Sequence, residues 1–378
     1  LGGETDQYEP TLYDGTTPVV RERAPGYHLT EDLAEQAVAW MRMQRAVDPA
    51  RPFFVYFAPG AAHAPLQPPA AWVERYRGKF DQGWDRLREE TFARQKAAGV
   101  IPRDAVLTPR PDALPAWDSL TPAEQRVSAR LMELYAAFLA HTDAQVGRLR
   151  EALKDMEQYD NTLFVYIVGD NGASAEGGLT GSTNYMGDLQ GLVSDVARYA
   201  DAPQTLSGEN TYAHYNAGWA WGTNAPFQWT KQVASHLGGT RSPMVLAWPE
   251  RIRDRGGLRS QFGHVNDIVP TILEVTGIAL PASVNGVEQQ PLDGVSLAPV
   301  LRDPTASVSS EAIHAFPRGE RIGRAIRTDR YRLVEWKPAG AAADSAVLEL
   351  YDYQDDPQET KNLAAERPEV VAELKAIL

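Results

Sequence analysis

Apolar residues along this chain recur with two periods, and the change from one to the other sets out its organisation. Thr162–Val168, seven residues of which six are apolar, reads as a fully buried β-strand that stops at Gly169-Asp170-Asn171-Gly172. Pro52-Phe-Phe-Val-Tyr-Phe-Ala58 reads as another buried strand, running into a Pro/Gly-rich loop that carries His63. Helical steps of three and four appear at Leu33, Ala34, Ala37, Val38 and Met41, predicting a helix from a Thr30 cap to about Arg45. They return at Val127, Leu131, Leu134, Phe138, Val146, Leu149 and Leu153, predicting a long helix. Thr121-Pro-Ala-Glu124 is its capping box, with Pro at the first helical position. A short helix near Trp84–Ala98 lies in a Trp-, Arg- and Pro-rich covering segment, and His264–Thr276 is an amphipathic helix closed by Gly277. Strand, helix, strand in this order predicts an α/β fold: a mostly parallel sheet flanked by helices, with right-handed crossovers.

From about residue 310 the period becomes two. Ala312–Phe316, Arg324–Arg327, Arg332–Trp336 and Val347–Tyr353 read as short strands between turns, followed by a closing helix at Pro368–Leu378. This predicts a smaller C-terminal antiparallel-sheet subdomain at 306–378 after an α/β domain at 1–305. Between them in kind, residues 173–230 form a long irregular stretch whose aromatic content argues against disorder. It reads as a substrate-facing wall.

Composition narrows the function. A 43% hydrophobic and 23% charged chain of 378 residues is that of a globular protein with a sizeable core. A net charge of −13 argues against a general nucleic-acid binder but leaves room for an anionic substrate in a locally cationic pocket. No run is long and apolar enough to span a membrane. With no cysteine, disulfides and thiolate metal sites are excluded. The chain opens on Leu1-Gly-Gly-Glu-Thr, without Met or a signal peptide, and reads as the middle of a protein. The compartment stays open, the bacterial cytoplasm or periplasm being the expectation.

Asp170 and Asn171, at the carboxyl end of a strand, place two oxygen donors where open α/β sheets hold ligands. A carboxylate and an amide oxygen suit a hard cation such as Ca²⁺ or Mg²⁺, and equally suit turn chemistry between glycines. His63 is either a surface histidine or a functional one. His141 and Asp143, on the long helix, read as structural or solvated.

Five separated stretches together resemble a sulfatase of the alkaline-phosphatase-like superfamily, bacterial arylsulfatases in particular. They are Pro52–Gln67 around His63, Asn161–Gly172, Lys231 upstream of Gly238-Gly239-Thr-Arg241-Ser-Pro243, His264-Val-Asn-Asp267-Ile-Val-Pro-Thr271, and Leu350–Leu363 with its Asp356-Pro-Gln-Glu359 core. The resemblance implies hydrolysis of a sulfate monoester, with Asp170 and Asn171 as two ligands of one Ca²⁺. It implies that His63 and Lys231 contact the sulfate and act catalytically, and it points less firmly to His236 as a substrate contact. Trp219 and Trp221 could flank an aryl group or pack in the core.

The resemblance also implies a formylglycine nucleophile made from Cys or Ser in a Cys/Ser-x-Pro-x-Arg motif. No such motif stands here; Val47-Asp48-Pro49-Ala50-Arg51 has Val at the nucleophile's place. The family's N-terminal aspartate pair and first Lys and His are absent too. The expectation is therefore a C-terminal portion of a sulfatase, inactive alone, completed by a missing N-terminal segment or chain. A phosphomonoester or phosphodiester hydrolase of the superfamily, or a non-catalytic protein that keeps the fold, are the alternatives. The expected partners are a small-molecule sulfate ester and that missing segment, with no nucleic acid and no membrane.

Overall fold

A computed structural model of the chain describes residues 5–20, 24–192, 194–206, 208–209, 211–308, 311–342 and 345–378. Its contacts fall into two units. Leu1–Glu90, Arg110–Asp160 and Ser174–Thr223 form the first; Thr91–Pro109, Asn161–Ala173 and Asn224–Leu378 form the second.

The first unit is built on the helix Pro122–Asp155. Its start is the predicted capping box: the Thr121 hydroxyl accepts from the Glu124 N–H and the Glu124 carboxylate accepts from the Thr121 N–H. Val127, Leu131, Leu134, Phe138, Leu149 and Leu153 are buried along one face, as their spacing requires. The helix Leu29–Val47 lies beside it, but its cap is His28 rather than Thr30. Thr30 is buried in the first turn, where its hydroxyl donates to Gln7 Oε1.

Three indoles make the other half of this core. Trp84 meets Trp117 and Trp219 edge-on, with ring centres 4.8 and 5.6 Å apart. Edge-to-face aromatic pairs add about 0.5–1.5 kcal/mol beyond the area they bury. Trp219 is fully buried and its Nε1–H donates to the Ser128 carbonyl at 2.8 Å. Gly218 lies under Trp84, where a β-carbon would come within 2.6 Å of the indole. The helix Ala217–Thr223 is thus interior, which corrects the expected substrate-facing wall at its indoles. Aromatic density alone did not distinguish a lining from a core.

The second unit holds the C-terminal sheet. Ala312–Arg318, Arg321–Arg327, Tyr331–Pro338 and Val347–Asp352 form an antiparallel meander, each strand where it was predicted to within a few residues. The register pairs Ile326 with Leu333 and Leu333 with Leu350, stacking three fully buried side chains on one face. Val371 and Leu374 of the helix Pro368–Ile377 close that face. In the same unit Asp267 starts the helix Ile268–Thr276: its carboxylate accepts from the His264 N–H at 2.7 Å and the Val295 N–H at 2.9 Å. Two residues of the 264–271 motif, Asp267 and Thr271, are therefore structural, since Thr271 Oγ1 also accepts from the Leu297 N–H.

Phe164–Ile167 pairs with Met244–Ala247, and the ladder is antiparallel. Ile167, Met244 and Val245 are exposed, so this strand is not fully buried as predicted. Residues 52–58 alternate in exposure, with Phe54 and Tyr56 facing outward, and join no ladder among the described residues, so they are not the buried strand predicted. A period of two marks a pleated backbone, not a paired one. The expected parallel sheet is not among the ladders of the described residues, all of which are antiparallel. No described helix is long and apolar enough to cross a membrane.

His28 and His141 are buried side by side in the first unit, ring centres 4.6 Å apart. Burial holds the His28 imidazole down at about 4 and lowers His141 as well, although Glu31 contacts the latter at 2.9 Å. Both rings are neutral when folded and take up protons on unfolding at mildly acidic pH. Their contribution to stability is full above the ordinary histidine value and is lost as pH falls below it, for His28 down to about 4. The urea midpoint is expected to fall between about pH 7 and pH 5, with His28 alone accounting for about 2 kcal/mol. An unchanged midpoint over that window would show that these rings are not buried neutral.

Candidate active site

In the second unit, two loops far apart in sequence are fastened to each other by their backbones. Asp170 and Asn171 follow the strand Phe164–Ile167 past Gly169, which takes a left-handed φ of 82°. The Gly172 N–H donates to the Gly239 carbonyl at 3.0 Å, and the Lys231 N–H donates to the Ala173 carbonyl at 2.9 Å. A β-carbon on Gly172 would lie 1.7 Å from the Gly238 carbonyl oxygen, and one on Gly238 would lie 1.9 Å from that of Gln228. Only glycine permits this approach. Trp229 and Gln232, on either side of Lys231, both adopt left-handed φ values, 65° and 73°. Non-glycine residues hold such conformations only where their surroundings over-determine them.

Asn224 is the side chain that ties this turn together. Its amide donates to the carbonyls of Trp229 and Gly238, and its oxygen accepts from the Ala173 N–H. The structure thus brings Lys231 to within a hydrogen-bonded backbone step of the Asp170–Asn171 loop. Asn171 Nδ2 donates to Asp170 Oδ1 at 2.8 Å, which aligns the two side chains and leaves the Asn171 amide oxygen and a second carboxylate oxygen for another partner. Hard oxygens side by side fit a divalent cation in kind. Ca²⁺ takes about six to eight oxygens, and among the described residues no group of three or more His, Asp or Glu could hold a metal ion.

His236 lies a few residues beyond, but inside. Its Nε2 is 3.1 Å from the Tyr351 hydroxyl, its Nδ1 is 2.7 Å from Ser235 Oγ, and burial lowers its pKa to about 3. Tyr351 donates onward to Glu349, so Nε2–H donates to Tyr351 while Nδ1 accepts from Ser235. The ring serves the C-terminal sheet. Beside it, Glu359 is fully buried and accepts from the Leu237 N–H at 2.7 Å and from the Tyr353 hydroxyl, with Arg332 Nε at 3.5 Å. Its carbonyl accepts from Gln228 Nε2. The C-terminal signature therefore holds the turn that bears Lys231, a role that the sequence gave no means to assign.

His63 belongs to the first unit. Its Nδ1 lies 2.9 Å from the Ala64 carbonyl, and its half-exposed ring sits 6.0 Å from that of Tyr185. Its Nε2 is 4.0 Å from Glu176 Oε2. Glu176 also accepts from Ser174 Oγ at 2.8 Å and from the Tyr185 hydroxyl at 3.4 Å. His214 Nε2 is 3.0 Å from Ser174 Oγ. The sequence reading passed over Ser174 and Glu176, which carried no signal beyond their nearness to Asp170-Asn171, and His214 lies 40 residues from Ser174.

Comparison with known proteins identifies the family. A family model described as Sulfatase matches residues 1–278, and one described as N-sulphoglucosamine sulphohydrolase, C-terminal, matches residues 228–378. An arylsulfatase of Klebsiella aerogenes is 31% identical over 312 residues, covering 79% of this chain and 64% of that protein. An uncharacterized sulfatase of Schizosaccharomyces pombe is 29% identical over 373 residues, covering 97% of this chain and 63% of that one. The crystal structure of a Bacteroides fragilis protein, yidJ, assigned as a sulfatase, superposes with a TM-score of 0.58 at 18% identity, over 97% of this chain and 61% of its own; this likeness concerns the fold. The chain spans less than two thirds of the length of these relatives.

Replacing Glu359 with Ala leaves Tyr353–OH and the Leu237 N–H buried without their acceptor and Arg332 without its countercharge. A loss of about 3–5 kcal/mol in denaturant unfolding is expected, as when one partner of a buried ion pair is removed. A loss below about 1 kcal/mol, the worth of an exposed pair, would mean that Glu359 does not hold this turn.

Proposed function

The chain belongs to the sulfatase family, and on that premise we propose that the complete protein hydrolyses a sulfate monoester. An aryl sulfate is the substrate class favoured by the 31% identity with the Klebsiella aerogenes arylsulfatase. The observation that carries the site assignment is the Lys231 N–H to Ala173 carbonyl bond, which sets a cationic residue against the loop of the two oxygen donors. Asp170 and Asn171 would hold a divalent cation, Ca²⁺ by the chemistry of their oxygens. When bound, that cation supplies positive charge at the non-bridging sulfate oxygens, and a formylglycine in a preceding segment supplies the attacking oxygen.

The residues of this chain do the rest. The Lys231 ammonium neutralises charge that develops on the leaving oxygen as its bond to sulfur breaks. His63 donates a proton to that oxygen, so that the alcohol or phenol departs neutral. The same preceding segment would complete a parallel sheet containing Phe164–Ile167, a reading supported by the exposure of Ile167 and Val245.

The test uses the protein with its preceding segment and its maturation enzyme, assayed on an aryl sulfate and an aryl phosphate. Lys231→Ala and His63→Ala are each expected to lower kcat about 100-fold, as loss of one electrostatic stabiliser does. Asp170→Asn is expected to weaken Ca²⁺ binding in calorimetry. Wild-type rates in both alanine variants would remove these residues from the site, and a preference for the phosphate would move the protein to the phosphoester branch of the superfamily.

A further inference from the structure

Four arginines converge on one cleft of the second unit. Arg251, Arg253 and Arg259 come from the loop after the strand Met244–Ala247, and Arg302 ends the helix Ala298–Arg302. With Leu301 and Pro304 they line a cavity of about 340 Å³, and among the described lining residues Asp254 is the only acid. The loop is fastened to the helix and to the turn beyond it. Arg259 Nε donates to the Val300 carbonyl at 3.3 Å, and Gln261 Nε2 donates to the carbonyls of Pro304 and Ala306 at 2.8 and 3.0 Å. Gly257 lets the loop close, since a β-carbon there would stand 2.0 Å from Asp254 Oδ2 and 2.7 Å from Arg259 Nη1.

The charge of this cleft is only partly balanced from within the chain. Asp254 is paired with Arg259 at 2.8 Å, and Arg302 with Glu274 at 3.1 Å. Asp303, next to Arg302, turns its Oδ1 to the N–H and the hydroxyl of Thr305. Arg251 and Arg253 are exposed and make no ion pair or side-chain hydrogen bond among the described residues; the Arg251 guanidinium stands 5.6 Å from the Trp248 ring. A chain with 50 acids against 37 lysines and arginines thus leaves two guanidiniums of one cavity without a carboxylate. Like charges gathered in a cleft repel one another, and its concave wall concentrates their field on any anion that enters.

We propose that this cleft binds a tetrahedral oxyanion, a sulfate or phosphate group, held by Arg251 and Arg253 with Arg259 and Arg302 completing the positive wall. Guanidinium groups present planar forks of N–H donors that match the oxygens of an oxyanion. Forks arriving from two separate elements suit a group whose three or four oxygens point in different directions, where a planar carboxylate offers two. The cavity falls at the lower end of the range for small-molecule sites, about 300–1,000 Å³, so it admits the charged group together with the moiety that bears it. The same group is presented by a free ion and by the end of an ester. None of the lining residues belongs to the candidate active site, so binding here does not depend on the roles given to His63 and Lys231.

Isothermal calorimetry on the complete protein tests this at constant ionic strength, in the Lys231→Ala background so that the candidate active site contributes no signal. Inorganic sulfate and glucose 6-sulfate are the probes, with acetate and glucose as controls. Millimolar binding of at least one probe is expected, weakened about tenfold or more in the double variant R251Q/R253Q, since charge-assisted hydrogen bonds are lost. Arg253→Gln alone, whose side chain has no partner in the fold to lose, should weaken binding in the same direction. Arg103→Gln removes an exposed arginine outside the cleft and should leave the affinity unchanged. Tighter binding of glucose 6-sulfate than of inorganic sulfate would identify an ester as the ligand, and the reverse order the free ion. No heat with either probe, acetate binding as tightly as sulfate, or an affinity that the double substitution leaves unaltered would overturn the site. An equal loss in Arg103→Gln would overturn it too, as the mark of general charge attraction.

Discussion

The contact on which the candidate site depends is backbone against backbone. Residues 171–173 and 230–239 approach so closely that Gly172, Gly238 and Gly239 have no room for even a methyl group. Glycine in a folded segment carries an entropic cost of roughly 0.5–1 kcal/mol against alanine. What offsets it is a set of bonds that a bulkier residue would forbid: Gly172 N–H to Gly239, Lys231 N–H to Ala173, and the Asn224 amide spanning the turn. The consequence is chemical as well as structural. The loop of Asp170 and Asn171 is registered against the turn of Lys231 by backbone groups and one amide side chain, none of which titrates. The geometry around a bound anion or cation would therefore not shift when the charged side chains change state.

That turn has to be held from its other side, and the C-terminal sheet does so with charge rather than apolar surface. Glu359, Arg332 and Tyr353 are buried together, and burial raises both Glu359 and Tyr353 above their usual values. Buried ionic groups are poor sources of net stability, because desolvation cancels most of their attraction. What they supply is position. A leucine at 359 would fill the same space but could not accept from the Leu237 N–H and from Tyr353 while balancing the charge of Arg332. The Glu359 backbone itself is left-handed, with φ of 60°, so the residue is held in place at some conformational cost.

How much of this could be read from the chain varied with how local the physics was. The capping box at Thr121 and Glu124 and the alternation through Ile326, Leu333 and Leu350 are decided by neighbours in sequence, and both were legible. The buried strand expected at 52–58 was not borne out among the described residues. Its unbroken apolar run carries no alternation, yet Phe54 and Tyr56 are exposed, because burial and pairing depend on partners that one segment does not contain. Trp219 was open to two readings because an indole lines a pocket and fills a core equally well; the Ser128 carbonyl that takes its N–H comes from another helix. Asn224 and Glu359 were beyond reach for the same reason. Their partners lie up to 131 residues away, and no spacing rule spans that distance.

Two of the histidines show how donor and acceptor counts identify a structural ring. His28 Nε2 faces the Gln67 carbonyl, so it donates, and its Nδ1 accepts from the Thr30 N–H; the neutral ring satisfies both. His236 closes neutral in the same way, donating to Tyr351 and accepting from Ser235. For both, burial pushes the pKa far below the ordinary value, in accord with the count.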